Sequence, residues 1–226
     1  MSETALSVSN LSKRFHTGFE ELVIFENLNF SVPLASKIAI TGESGCGKST
    51  LLNILGGLES PSEGTVRSGP YEVSSLDEKG LTAYRGGYLG LVFQFHYLLK
   101  DFTALENVML PALMAGLGRR EATERARQLL ADVRLEHRLD HLPSRMSGGE
   151  RQRAAVARSL VNSPSLILAD EPTGNLDPEN SALVRDILFD VVTRYGKTLI
   201  LVTHDRDIAG MADRAWRLTK EGLVTP

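Results

Sequence analysis

The run Gly42-Glu43-Ser44-Gly45-Cys46-Gly47-Lys48-Ser49-Thr50 has residue types and a spacing that suit one kind of chemistry. Gly42, Gly47, Lys48 and Ser49 occupy the fixed positions of a G-x-x-x-x-G-K-[ST] loop. Glycines let backbone N–H groups converge, and a helix that starts directly after them adds the positive end of its dipole, so the two together suit a polyphosphate. Lys48 would then reach the β- and γ-phosphates of a nucleoside triphosphate, and the Ser49 hydroxyl would ligate Mg²⁺.

Further candidates lie along the chain. Asp170 and Glu171 close the apolar run Leu166-Ile167-Leu168-Ala169. A run apolar on both faces fits a central parallel strand, and acids at its carboxyl end lie where ligands bind in such sheets. Asp170 suits Mg²⁺ held through water, which leaves Glu171 to orient or deprotonate an attacking water. His204 stands at the end of a second buried run, Thr198–Thr203, in the matching position. Ser147-Gly148-Gly149-Glu150 is a capping box that any helix might use. Its two glycines each cost about 1 kcal/mol relative to Ala in a helix interior, so they point beyond a cap, to a backbone that a second phosphate contact approaches closely. Phe15 could stack on a base, although packing is the commoner fate of a lone aromatic at a strand end.

The elements that must position these residues are legible from pattern. Residues 4–41 carry short β-like runs, Leu22–Phe25 and Leu28–Val32 among them, and predict an antiparallel flap leading into the strand Lys37–Thr41; a helix follows over Thr50–Leu55. The Gly-, Ser- and Pro-rich stretch from 56 to 87 predicts further strands and a short helix near Leu76–Arg85, followed by a strand over Tyr88–Phe93 that ends at Gln94. From residue 95 the chain turns helical. Thr103–Glu106 fits a capping box opening a helix that Pro111 should end or kink, and Arg119–Val133 has an apolar stripe with a charged, solvated face. A helix from Ser147 to about Val161 closes at Asn162-Ser163-Pro164, and Asn180–Tyr195 places Leu183, Ile187, Leu188, Val191 and Val192 on one face.

Composition sets the outer bounds. The 226 residues, 42% of them apolar, can bury a substantial core. A formal charge of −3 gives no field that would draw the chain to nucleic acid or anionic lipid. Cys46 is the only cysteine, which rules out an intrachain disulfide and suits a reducing compartment. The start Met-Ser-Glu-Thr-Ala lacks the features of a secretory signal, and no apolar run approaches the roughly 20 residues a bilayer span needs. No internal repeat appears, which predicts one nucleotide cassette.

The loop at Gly42, then Gln94, Ser147-Gly148-Gly149-Glu150, Asp170-Glu171, Asn175-Leu176-Asp177 and His204, in that order and across essentially the whole chain, resemble the nucleotide-binding subunit of an ATP-binding cassette (ABC) transporter. The resemblance implies an α/β P-loop NTPase fold with a mostly parallel core sheet, an antiparallel β subdomain and an inserted helical subdomain. It implies one domain over 1–226, with 1–94 and 162–226 as core and flap and about 95–161 as the helical part. It further implies ATP and Mg²⁺ as ligands and a homodimer closing on two ATP molecules. Gly42 to Thr50 would hold one side of each triphosphate, while Ser147, Gly148 and Gly149 of the second copy would hold the other. Phe15 would stack on adenine, and Gln94 would touch Mg²⁺ and the attacking water. Asp177 would pass information between sites, and His204 would hold the γ-phosphate and Glu171. Met146 stands where leucine is commonest and Glu150 where glutamine often does; neither removes the groups expected to touch phosphate.

Within the family, the segment from Phe93 to Val108 is most similar to the lipoprotein-release branch, which is grouped with macrolide-export and cell-division ATPases. That likeness implies membrane subunits contacted near Phe95–Asn107, a lipoprotein cargo handled indirectly, and a peripheral place on the cytoplasmic face of a bacterial inner membrane. A soluble ABC ATPase working on nucleic acid is a rival that would need coiled-coil arms, a second cassette or a basic surface, and none is visible. A small-molecule phosphotransferase would leave the Ser147 helix and Glu171 unexplained.

Overall fold

The computed structural model describes residues 4–18, 20–219 and 222–224. The chain forms two units, Met1–Arg85 with Thr198–Pro226, and Gly86–Lys197.

The first unit opens with two long strands, β1 (Thr4–Thr17) and β2 (Glu20–Pro33), paired antiparallel. The two short runs expected in this region are a single strand. The register of this strand, β2, against β1 shifts between Val8 and Leu11 and around Lys13 of β1, so the pair bends without ending, and Asn10 of β1 and Asn27 of β2 take the left-handed backbone that asparagine tolerates better than most residues. Strand β3 (Lys37–Thr41) leads to helix α1 (Lys48–Leu55). The chain then returns through β4 (Glu63–Ser68) and β5 (Tyr71–Glu72) to complete an antiparallel sheet of order β2-β1-β4-β5. Leu6, Val8, Phe25, Leu28 and Val66 fill its inner face. Helix α2 (Glu78–Ala83) is capped by Asp77, whose carboxylate accepts from the Gly80 N–H at 2.7 Å.

In the second unit, β6 (Leu89–Val92) precedes α3 (Ala104–Met114), α4 (Arg119–Asp132) and α5 (Gly148–Leu160), and β7 (Leu166–Asp170) leads to α6 (Pro178–Arg194). β6 and β7 pair in parallel, Leu89 opposite Leu166. Helix α5 packs against α3, α4, α6 and β6 and is buried along most of its length. It comes so close to β6 that a Cβ on Gly90 would lie 2.5 Å from the Ser159 carbonyl oxygen. The capping box at Thr103 is formed, but α3 does not stop at Pro111 and runs on to Met114. Val184 rather than Leu183 is buried on α6, with Phe189 added to its inner face.

The chain re-enters the first unit at β8 (Thr198–Val202), followed by α7 (Arg206–Gly210), β9 (Arg214–Thr219) and β10 (Gly222–Val224). β3 lies between β8 and β9, parallel to both, and β10 pairs antiparallel with β9. Every residue of β8 is buried, as are Ile38, Ala39 and Ile40 of β3, which is the apolar signature expected of parallel strands covered on both faces. The architecture is α/β, with parallel pairings, an antiparallel β sheet and a helical region between them in sequence. The unit boundaries follow Arg85 and Lys197, whereas the sequence expectation set the helical part at about 95–161. β6 and β7 group with the helices because α5 packs on β6.

Candidate nucleotide site

In the first unit, the loop between β3 and α1 is shaped by its glycines. Gly47 has φ of +97°, and a Cβ there would lie 2.3 Å from Ile24 Cγ2, so only glycine lets the loop turn into α1 against β2. A Cβ on Gly45 would meet nothing within 4 Å. Lys48 Nζ donates to the carbonyl oxygens of Gly42 (3.0 Å) and Glu43 (2.9 Å), so the loop curls over its own ammonium group. Among the described residues no carboxylate pairs with Lys48. Beside the loop is a pocket of about 460 Å³, lined by Leu22, Val23 and Ile24 of β2, by Glu43 to Cys46, and by Arg217, Leu218 and Thr219 of β9. Arg217 pairs with Glu43 at 3.2 Å. The volume lies within the range of small-molecule sites.

Phe15, on β1 opposite Leu22, is partly exposed, and Lys13 Nζ sits 4.6 Å from its ring centroid. His204 is exposed directly after β8 and Thr203. The next residue, Asp205, caps α7 by accepting from the N–H groups of Asp207 and Ile208. Ser49 is exposed in the first turn of α1.

In the second unit, Asp170 ends β7 and Glu171 follows with φ of +42°. A non-glycine residue held left-handed costs about 1–3 kcal/mol and persists where its surroundings over-determine it, as at sites of chemistry. Here the Glu171 carbonyl accepts from the Gly174 N–H at 3.0 Å. Gln94 is exposed after β6, and its Nε2 donates to Asn175 Oδ1 at 3.0 Å, which ties it to the segment that follows Glu171. Asp177 is the N-cap of α6, accepting from the Asn180 N–H (3.0 Å) and Nδ2 (2.7 Å), with Pro178 in the first turn. Those bonds hold its carboxyl below the usual carboxylate range.

The α5 N-terminus forms the cap that the sequence offered. Ser147 Oγ accepts from the Glu150 N–H and the Ser147 N–H donates back to Glu150 Oε2, so the capping box is closed. Gly149 needs no ligand to account for it, since a Cβ there would lie 2.3 Å from Asn180 Oδ1. Ser147 itself stays exposed. Glu150 loses solvation on burial, but the Ser147 N–H and Arg138 outweigh that loss and hold its carboxyl below the ordinary value. A carboxylate therefore serves in this position, where it also pairs with Arg138 at 2.8 Å. Met146 is buried, so an apolar residue of similar volume is what the place requires.

The donor set suits Mg²⁺ with a triphosphate. A hard cation of this size takes one or two oxygen donors from protein and the rest from phosphate and water, and in the first unit the exposed Ser49 hydroxyl at the start of α1 is a donor of that kind. Among the described residues no group of three His, Cys, Asp or Glu side chains stands ready to hold a metal alone.

Several of these features were not read from sequence. β9 went unassigned although Trp216 and Leu218 alternate inward, and it contributes Arg217 to the pocket. The N-caps at Asp177 and Asp205 were also missed, although Asp177-Pro178-Glu179 signals a helix start.

The description of the ABC transporter family matches residues 25–174, and the chain belongs to that family. It is an ATPase cassette, of a family that binds ATP with Mg²⁺. Among its relatives are proteins named as the lipoprotein-releasing system ATP-binding protein LolD. That of Treponema denticola is 62% identical and that of Treponema pallidum 56%, each over 99% of both chains. The LolD of Geobacter metallireducens is 47% identical over 97% of both. Among solved structures, two of the cassette MJ0796 are 36% identical over 96% of each chain. One, described as the dimeric post-hydrolysis state bound to ADP and Pi, superposes with a TM-score of 0.87, and the other, also dimeric, with 0.88. Among the described residues no helix is long and apolar enough to cross a membrane.

Proposed function

We propose that this chain is the ATP-hydrolysing subunit of a transporter that releases lipoproteins from the inner membrane towards the outer membrane, and that it lies peripherally on the cytoplasmic face. The observation that carries this reading is the 62% identity to a lipoprotein-releasing ATP-binding protein across 99% of both chains. Macrolide-export and cell-division complexes are the alternatives within the same branch, and nucleic acid is not expected as a partner.

In this reading Gly42 to Thr50 cradle the phosphates, the pocket beside them takes the nucleoside, and Phe15 stacks on its base. Lys48 neutralises charge developing on the transferred phosphoryl group, and Glu171 takes or orients the proton of the attacking water while His204 and Gln94 hold that water in line. When bound, Mg²⁺ at Ser49, Gln94 and Asp170 would draw charge from the β- and γ-phosphate oxygens. A second copy contributes Ser147 and the α5 N-terminus to the γ-phosphate, so ATP binding favours the paired state. Asp177 relays between the two sites. Membrane subunits dock near Phe95–Asn107, and the cargo is moved by them, never touched by this chain.

Depletion of the chain in its own bacterium tests the reading. Fractionation should find outer-membrane lipoproteins held in the inner membrane, and correct sorting in depleted cells would refute the assigned cargo.

A further inference from the structure

Helix α5 carries Ser147 at one end and, about 16 Å along its axis at Arg158, reaches a segment of a different character. Residues 95–102 expose Phe95 at 60%, Tyr97 at 62%, Leu99 at 44% and Phe102 at 40%. Scattered apolar side chains on a surface are ordinary, but a run this dense marks a surface made to be covered. Its backbone is not relaxed. Tyr97 has φ of +46°, a conformation in which an aromatic residue is strained and which must be held from outside.

Arg158, in the last turn of α5, holds it. Nη1 donates to the Tyr97 carbonyl oxygen and Nη2 to that of His96, each at 2.8 Å. Burial weakens the guanidinium's hold on its proton, and among the described residues no carboxylate lies within ion-pair distance of it. A desolvated cation with only neutral partners is a poor way to gain stability, since an apolar side chain would fill the space at less cost; what the planar fork adds is direction. Other straps serve the flanks. Gln152 of α5 donates to the Phe93 carbonyl, and Asn107 of α3 accepts from the Leu99 N–H and donates to the carbonyls of Leu99, Phe102 and Thr103. Among the described residues, Arg158 is the α5 side chain that hydrogen-bonds the strained turn itself.

We propose that Arg158 is the positioning residue that locks the exposed aromatic segment to α5, so that displacement of Phe95 and Tyr97 by a membrane subunit is carried along the helix to Ser147. The inference rests on the reading of that segment as the docking surface for membrane subunits. Arg158 touches neither nucleotide nor membrane subunit in this account; it makes the two ends of α5 move together.

The test compares wild type with Arg158→Lys and Arg158→Met, each as the isolated chain and as the complex purified with its membrane subunits from native membrane and placed in lipid nanodiscs. The isolated variants should keep kcat and KM for ATP within about twofold of wild type, because no group at the nucleotide is altered. In the complex, both should assemble at wild-type stoichiometry yet lose at least about fivefold of the rate change that the membrane subunits impose, and amides 96–99 should exchange hydrogen at least about tenfold faster. Lysine lacks the planar fork that fixes the direction of two bonds at once, so Arg158→Lys carries the test by the same criteria if Arg158→Met fails to fold. Variants that respond to the membrane subunits as wild type does would overturn the role of Arg158 alone. A wild-type complex whose ATPase is indifferent to those subunits would overturn the transporter reading, and the coupling with it.

Discussion

Lys48 donates to the carbonyls of Gly42 and Glu43, two neutral acceptors that a phosphate can replace with charged ones. Exchanging neutral for charge-assisted hydrogen bonds is the gain that ATP offers the loop. Lys48→Ala should therefore weaken ATP binding by about 1.5–3 kcal/mol, roughly ten- to a hundredfold, measured by calorimetric or fluorescent nucleotide titration. Unchanged affinity would remove Lys48 from the phosphate site. Glu171 behaves differently, since its strained backbone serves placement and its carboxylate is assigned to the water. Glu171→Gln keeps the shape and removes the base, so ATP binding should persist while phosphate release falls by at least about a hundredfold, in line with the loss of a general base. A variant that hydrolyses at the parental rate would refute the assignment. These side chains were legible in sequence because motif spacing fixes their types. The reason for Gly149 was not, because the atom that forbids a Cβ there belongs to Asn180, 31 positions along and on another helix.

Elements were legible where their signals are local. Both capping boxes, at Thr103 and Ser147, formed as their residues dictate. Strand ends and bulges were not, because register is set by the neighbouring strand, and α3 runs past Pro111 to Met114. A long-range clamp in the second unit was equally hidden. Asp132 at the end of α4 accepts from the Tyr195 hydroxyl and pairs with Arg194 at 2.9 Å, fixing α4 to the end of α6. Burial first, and then the bond to Asp132, push the Tyr195 phenol up to about 12. A folded-state pKa above the unfolded value of about 10 means the folded form holds the proton more tightly. The clamp's contribution is therefore whole below about pH 10 and is lost as pH rises from there towards 12. Urea midpoints for wild type and Tyr195→Phe should differ at pH 9, draw together from about pH 10 and meet only near pH 12. A gap that does not change with pH would mean that the phenol is not held.

At the scale of the molecule, the exposed Ser147 at the head of α5 is the feature least explained by the chain alone. Its capping bonds satisfy Glu150 and its own N–H, yet the hydroxyl stays open to solvent at a helix N-terminus, where an anion is favoured. The related cassette MJ0796 was solved as a dimer. A two-fold pair of this chain would give each γ-phosphate Lys48 from one copy and Ser147 from the other. Mixing separates this arrangement from one in which Ser147 serves its own chain. Lys48→Ala and Ser147→Ala should each be inactive alone, both sites of either dimer carrying the lesion. In a mixed dimer one site receives both lesions and the other receives neither, so an equimolar mixture should regain up to about a quarter of wild-type turnover, half of its dimers being mixed and half of their sites intact. If Ser147 acted within its own chain, every site in the mixture would carry one lesion, and phosphate release would stay at the level of the separate variants.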